Sequence, residues 1–167
     1  MDKLQRLLDI EELRLLKANY FYNLDHKLWD DWIALFTDDT VLKVDSVRSI
    51  RDGEGGPTRI FEGAANVVEF VSKHSRSATA ETVHHGHTFQ YGFLSDTDAW
   101  GRWAMQDIVD HKDGLLRGYG HYRETYRKVD GQWKFSSVHL TRLRIEWTPR
   151  SADNSAGYQV MPDGADS

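Results

Sequence analysis

The stretch AWGRWAMQDIVDHKDG (residues 99–114) decides the fold. Apolar and polar side chains alternate along it, which predicts a strand with one face turned towards a core. A glycine-containing turn, HKDG (111–114), closes the stretch, as expected between two antiparallel strands. The predicted inner face includes an acid, and its members are Gly101, Trp103, Met105, Asp107 and Val109.

Three further segments have the composition of strands. They cover residues 81–94, 117–129 and 132–147, and VDG (129–131) supplies a second short turn between the last two. Runs of this kind, separated by short turns, predict a meander of long antiparallel strands.

The first part of the chain favours helices. Leucines and a tyrosine recur at three- and four-residue steps over residues 3–25, which predicts an amphipathic helix. A second helical stretch is expected to end in FTDDT (36–40), before a strand that begins at Val41. A glycine-rich loop, RDGEGGPTR (51–59), precedes a third helical stretch at 63–75. This order predicts an α+β domain with helices packed on one curved sheet.

Composition limits the class of protein. At 167 residues, 40% of them hydrophobic, the chain suits a single domain, which we place at residues 1–148. Residues 149–167 are small and polar, which predicts a loosely held tail. A net charge of −5 argues against a nucleic-acid partner, and the absence of cysteine excludes thiolate metal sites. No signal peptide or membrane-length apolar run is present, so we expect a cytoplasmic protein with no membrane partner.

Asp107 is a candidate for acid–base chemistry because the alternation places it on the apolar face. A bulge or a strand end would instead return it to water, and the sequence favours neither alternative. If the carboxyl is buried, desolvation raises its pKa and makes it a general acid near neutral pH.

The segment ETVHHGHT (81–88) supplies a candidate base. Alternation places His84 on one face and both His85 and His87 on the other. A single histidine in a strand is more often structural, but a neutral imidazole oriented by a carboxylate is a good general base. His85 and His87 lack a carboxylate at ligand spacing, so the sequence predicts neither a metal site nor a cofactor.

The segment KANYFYNLD (17–25) offers a carboxylate and a phenol. Asp25 would either orient His84 or simply mark the end of the helix. Tyr20 would either donate to a substrate or serve as a core aromatic residue. It lies about 140° around an ideal helix from Asp25, so the two share a cavity only if the helix ends or bends near Asp25.

The last strand contributes an arginine. Arg142 follows two apolar residues on its own face, so it either points inward and pairs with Asp107 or is solvated at the strand end. Alternation does not separate Arg142 from Arg144, because one bulge would exchange them.

Several separated segments resemble the SnoaL-like branch of the NTF2-like superfamily. Within it the chain is most similar to bile acid 7α-dehydratases, and it also resembles scytalone dehydratase and hexachlorocyclohexane dehydrochlorinase. The resemblance implies an α+β cone built on a mixed, mostly antiparallel sheet. The matching segments are YFYNLDHKLWDDW (20–32), HHGHT (84–88), GRWAMQD (101–107), YRKVDGQWKF (126–135) and the arginine-bearing last strand.

The resemblance also implies a function, that of a cofactor-independent lyase acting by acid–base catalysis. The base would be His84 oriented by Asp25, and Tyr20 would donate to the oxygen that gains negative charge. Asp107, positioned by Arg142, would assist departure of a hydroxyl group.

The implied substrate is small, hydrophobic, cyclic or aromatic, and hydroxylated. The reaction would be a dehydration or a related C–C cleavage. The alternatives are a ketosteroid-type isomerase or polyketide cyclase-like enzyme, and a non-catalytic binding domain. By the same resemblance we expect a homo-oligomer, a dimer or trimer. The substrate-contacting residues would be Trp103, Met105 and Leu140.

Overall fold

The computed structural model describes residues 3–45 and 58–150. Two helices come first, two strands and a third helix follow, and four long strands complete the described chain. The helices and turns are α1 (Lys3–Asp25), α2 (Trp29–Ile33), α3 (Ala64–Glu69), a π-helical turn (Phe70–His74) and a 3₁₀ turn (Arg76–Ala78). The strands are β1 (Phe36–Val44), β2 (Arg59–Glu62), β3 (Glu81–Phe93), β4 (Asp98–His111), β5 (Gly114–Val129) and β6 (Gln132–Pro149).

The strands form one curved sheet in the order β2-β1-β6-β5-β4-β3. β1 lies parallel to β6, and the other neighbouring pairs are antiparallel. The α+β class and the mixed, mostly antiparallel sheet are therefore confirmed.

The beginning of β1 differs from the prediction. FTDDT (36–40), expected to end the second helix, instead opens β1, and α2 already ends at Ile33. Phe36 pairs with Phe135 of β6; the ring centroids are 5.4 Å apart and both residues are buried. Burial of two aromatic rings across a strand pair outweighs the helical spacing of the local sequence.

Of the remaining predictions, one helix is confirmed in part and two segments are not tested. The helix expected over residues 63–75 begins as α3 but widens into the π-helical turn Phe70–His74. The predicted loop (51–59) and tail (149–167) lie outside the described residues, except where they open β2 or close β6.

Helix α1 covers one face of the sheet. Gly86 of β3 allows this approach, because a Cβ at that position would lie 2.8 Å from the ring of Phe21. None of the described helices is long and apolar enough to cross a membrane. The residues that α1 buries in the core include Leu13, Leu16, Tyr20 and Leu24.

Candidate active site

A cavity of about 660 Å³ lies between α1, the π-helical turn and the sheet. This volume falls within the range of small-molecule sites. Most of its wall is apolar, with contributions from Leu24, Val71, Val109, Leu116 and Leu140. The polar residues that line it are Tyr20, Asp45, Arg59, His74, Ser75, Arg76, Ser77, His84, Asp107, Tyr122 and Arg142.

His84 is held by Asp25 at the end of α1. The imidazole Nδ1 lies 2.6 Å from Oδ1 of Asp25, and the backbone N–H of His84 donates to Oδ2 at 3.0 Å. An ionised carboxylate only accepts hydrogen bonds, so Nδ1 carries a proton, and in the neutral form of the imidazole the lone pair is on Nε2. Among the described residues Nε2 has no hydrogen-bond partner, and His84 lines the cavity. The predicted contact between Asp25 and His84 is therefore present, and its geometry is the one that a general base requires.

The Asp25 carboxylate is itself supported by a chain of donors. Thr82 donates its hydroxyl to Asp25 at 2.9 Å, and Lys27 donates to that hydroxyl at 2.8 Å. Desolvation raises the pKa of Asp25, but the hydrogen bonds and charge of His84, with help from Thr82, outweigh it and hold the pKa below its usual value. Asp25 is thus an ionised orienting group. It reaches β3 because α1 ends at this residue.

Asp107 lies beside His84 on the neighbouring strand. The two residues are direct cross-strand partners, which places their Cβ atoms about 5 Å apart. Asp107 is almost fully buried, so alternation predicted its orientation correctly. Both of its oxygens accept hydrogen bonds from Arg142, at 2.7 and 2.5 Å. Asp107 is therefore one half of a bidentate ion pair, a better acceptor than proton donor.

Gly118 makes this ion pair possible. It lies on β5 opposite Asp107, between that residue and Arg142 of β6. A Cβ built on Gly118 would overlap both Oδ1 of Asp107 and Nη1 of Arg142. Because glycine has no side chain, the carboxylate and the guanidinium can meet in the space that a Cβ would occupy.

A bulge decides which arginine enters the cavity. Arg142 pairs with Gly120 and Arg144 pairs with Tyr119, so one extra residue, Leu143, is accommodated in β6. The side chain of Arg142 is 9% exposed, whereas that of Arg144 is 71% exposed and pairs with a neighbouring glutamate. Burial lowers the pKa of Arg142, but its bonds to Asp107 more than compensate and raise it.

Two phenols, Tyr20 and Tyr122, form the cavity floor, with ring centroids 5.9 Å apart. Among the described residues, neither hydroxyl has a hydrogen-bond partner. Burial and the charges of Glu124, Asp107 and Asp25 raise the pKa of Tyr20 far above its usual value. Burial likewise raises the pKa of Tyr122. Both phenols stay protonated and can donate to a bound oxygen.

Two of the three predicted substrate contacts lie elsewhere. Leu140 lines the cavity, but Trp103 and Met105 belong to the core and do not line it. Trp103 stacks on Phe89 at 4.2 Å and donates its indole N–H to Tyr126 at 3.2 Å. Alternation gave these two side chains the correct face, but they pack within the core cluster and not along the cavity wall.

His85 and His87 have no place in the cavity. Both are exposed on the opposite face of β3, with their rings 5.8 Å apart. Within the part of the chain that the structure describes, no group of three His, Cys, Asp or Glu residues is arranged to hold a metal ion.

A family model described as a SnoaL-like domain matches residues 5–139, which is most of the chain. The chain belongs to the SnoaL-like family. The resemblance to the NTF2-like superfamily is thereby confirmed, and this SnoaL-like domain has the α+β cone expected of it.

Solved structures show the same fold. A hexachlorocyclohexane dehydrochlorinase, LinA-type3 of Novosphingobium barchaimii, aligns over 96% of this chain and 99% of its own at 18% identity and a TM-score of 0.73. A proposed scytalone dehydratase of Novosphingobium aromaticivorans aligns over 93% and 97% at 25% identity and a TM-score of 0.65. The β subunit of a proposed aromatic-ring-hydroxylating dioxygenase from the same organism aligns over 82% and 90% at 15% identity and 0.66. The structural neighbours of this chain thus include a dehydrochlorinase, a proposed scytalone dehydratase and a proposed dioxygenase subunit.

Sequence reasoning missed Tyr122 and Gly118. Both belong to β5, whose inner face carries Tyr122 on the same parity as the buried Glu124. The strand pattern was therefore a usable signal for Tyr122. Nothing in the sequence pointed to Gly118, because its role depends on what two other strands place around it.

Proposed function

We propose that this protein is a cofactor-independent lyase that eliminates water, or cleaves a C–C bond in a related reaction, from a hydrophobic cyclic hydroxylated substrate. One observation carries the proposal. Asp25 binds Nδ1 of His84, which leaves Nε2 of the neutral imidazole for substrate in a cavity that also contains two phenols without a hydrogen-bond partner among the described residues. That cavity is lined mainly by apolar side chains, which favours a hydrophobic ring system.

The first step is proton abstraction. His84 Nε2 removes a proton from the carbon next to a substrate carbonyl, and the C–H electrons move towards the carbonyl oxygen. Tyr20 and Tyr122 donate hydrogen bonds to that oxygen as its charge grows. Asp25 stabilises the imidazolium that forms.

The second step is loss of the hydroxyl. The enolate electrons form the new C=C bond as the C–O bond breaks, and the departing oxygen takes the proton from the His84 imidazolium to leave as water. Asp107 lies beside His84 and accepts a hydrogen bond from the substrate hydroxyl, which orients the leaving group. Arg142 keeps the carboxylate in place. The His84 imidazole therefore acts first as the base and then as the acid. The C–H and C–O bonds consequently break on the same face of the substrate.

The test is turnover of a panel of cyclic β-hydroxy ketones of increasing size, followed by mass spectrometry. His84→Ala should reduce kcat by about a hundredfold or more, because a positioned general base contributes at least that much. His85→Ala is the matched control, since it removes an exposed imidazole one residue away on the opposite face. Equal turnover in the His84 variant and the wild-type protein would rule out this mechanism.

An isomerase is the second candidate, and the pair of phenols favours it. Two donors aimed at one oxygen, with a nearby base, also suit a proton shuttle on a cyclic ketone, which needs no leaving group. A product of unchanged mass, with activity retained in Asp107→Ala, would identify the isomerase. A ligand that binds tightly and is recovered unchanged would instead identify a binding domain.

A further inference from the structure

A buried ammonium group lies directly beneath the cavity floor. The side chain of Lys17 is 1% exposed, and its Nζ lies 3.5 Å from the ring centroid of Tyr122 and 4.1 Å from that of Tyr20. Phe21 and Phe135 complete an aromatic box around it, at 4.6 and 5.6 Å. Tyr20 and Tyr122 thus contact the ammonium through their ring faces, and the same two residues line the cavity.

The counter-ion of Lys17 is Glu124, which is also fully buried. Its Oε1 lies 2.5 Å from Nζ, and its Oε2 accepts the hydroxyl of Tyr126 at 2.5 Å. Tyr126 in turn accepts the indole N–H of Trp103. Both carboxylate oxygens are therefore used, whereas the ammonium has one carboxylate partner and otherwise faces aromatic rings.

Stability does not explain why the chain keeps this pair. Two buried charges lose more hydration than their attraction usually returns, and apolar residues of the same size are often at least as stable in such places. Burial lowers the pKa of Lys17 to about 8 against the opposing effect of Glu124, so the ammonium is charged at neutral pH. The groups that the charge touches are the two phenol rings, and these suggest a function for it.

We propose that Lys17 is a positioning residue for the active site, which acts through the faces of Tyr20 and Tyr122 to strengthen their hydroxyls as donors to an anionic oxygen. A cation over the ring faces stabilises negative charge that develops at the phenols and at any oxyanion they bind. Glu124 holds the ammonium in place and has the opposite electrostatic effect. The inference rests on the proposed role of the phenols, but it does not require a particular reaction.

The probe is 4-nitrophenol at neutral pH, where it exists as both phenol and coloured phenolate. It is a hydroxylated aromatic compound whose hydroxyl, attached to the ring, cannot be eliminated as water. We therefore expect it to bind without turnover. Absorbance and equilibrium dialysis give the ratio of phenolate affinity to phenol affinity. Lys17→Met should lower this ratio about tenfold, since a desolvated cation–π contact is worth about that factor. Lys17→Arg, which keeps a permanent cation beside Glu124, should hold the ratio close to the wild-type value.

A second comparison covers the case in which Lys17→Met does not fold. The double variant Lys17→Met/Glu124→Gln leaves no unpaired charge in the core, and its ratio should again be lower than that of Lys17→Arg, which keeps the ion pair. The matched control is Lys128→Met/Asp9→Asn, which removes another ion pair with a buried acid, one that touches Trp133 but not the cavity. It should leave the ratio unchanged.

Three results would overturn the inference: equal ratios in Lys17→Arg and the variants that carry Lys17→Met, a matching fall in the Lys128/Asp9 control, or no preference for phenolate in the wild-type protein. Failure of the proposed lyase reaction has a different signature. In that case no substrate is consumed, yet the phenolate preference and its dependence on Lys17 persist.

Discussion

Replacing Gly118 by alanine tests whether the Asp107–Arg142 pair depends on a gap in β5. The added methyl group would occupy the place where the carboxylate and guanidinium meet. The backbone of Gly118 is not in the left-handed region, so alanine introduces no conformational strain there. Any loss of stability must then come from displacement of the pair.

The magnitude follows from the geometry. Asp107 is 2% exposed and holds Arg142 through two charge-assisted hydrogen bonds, so separating them leaves two buried charges poorly paired. Breaking a buried pair costs about 3–5 kcal/mol, and alanine in a strand recovers about 0.5–1 kcal/mol relative to glycine. Because the side chains can shift instead of being lost, we expect a net loss of about 2–3 kcal/mol in the free energy of unfolding.

Urea unfolding followed by tryptophan fluorescence measures this loss, and the control is the same change in a second background. In Asp107→Ala/Arg142→Ala the methyl group has room, so Gly118→Ala should cost nothing or stabilise slightly. Two outcomes would refute the reasoning: wild-type stability in Gly118→Ala, or a loss that persists unchanged when the pair is absent.

Two further predictions concern the Asp25–His84 pair and the two phenols of the cavity floor, Tyr20 and Tyr122. The folded-state pKa of Asp25 is depressed, so its stabilisation is fully present above its usual pKa and is lost as the pH falls through the lower folded value. The stability advantage of the wild-type protein over Asp25→Asn should therefore shrink below about pH 4 in acid-unfolding curves, and a gap that stays constant would contradict this. Tyr20→Phe and Tyr122→Phe each remove a hydroxyl without a described protein partner, so each should change the melting temperature little but lower kcat about tenfold or more, and unchanged kcat in the double variant would exclude both as donors.

The strand pattern predicted much of the site because residue parity alone fixes the face of a regular strand. His84 and Asp107 occupy the inner face, as alternation required, and His85 and His87 occupy the outer one. Asp25 was identifiable because apolar spacing ends there. The expected homo-oligomer and the catalytic roles of these residues stay predictions until they are measured.

Residue parity did not predict the site where a strand was irregular or where an inward side chain packed in the core beside the cavity. Leu143 is accommodated in a bulge of β6, which reverses the side-chain direction between Arg142 and Arg144, and no local pattern reveals such a bulge. Trp103 and Met105 face inward but do not line the cavity, because they pack against other residues of the core cluster, such as Phe89 on Trp103.

The sequence by itself determined the α+β class, the long strands and the inner face of the regular parts of β3 and β4, because these depend on the spacing of apolar residues along one segment. Only the tertiary structure decided that the cavity has two phenols on its floor, that one arginine and not its neighbour reaches the buried acid, and that a glycine on the strand between them leaves room for the pair. Those features depend on distances between side chains from different strands and helices, which the order of residues along the chain does not record.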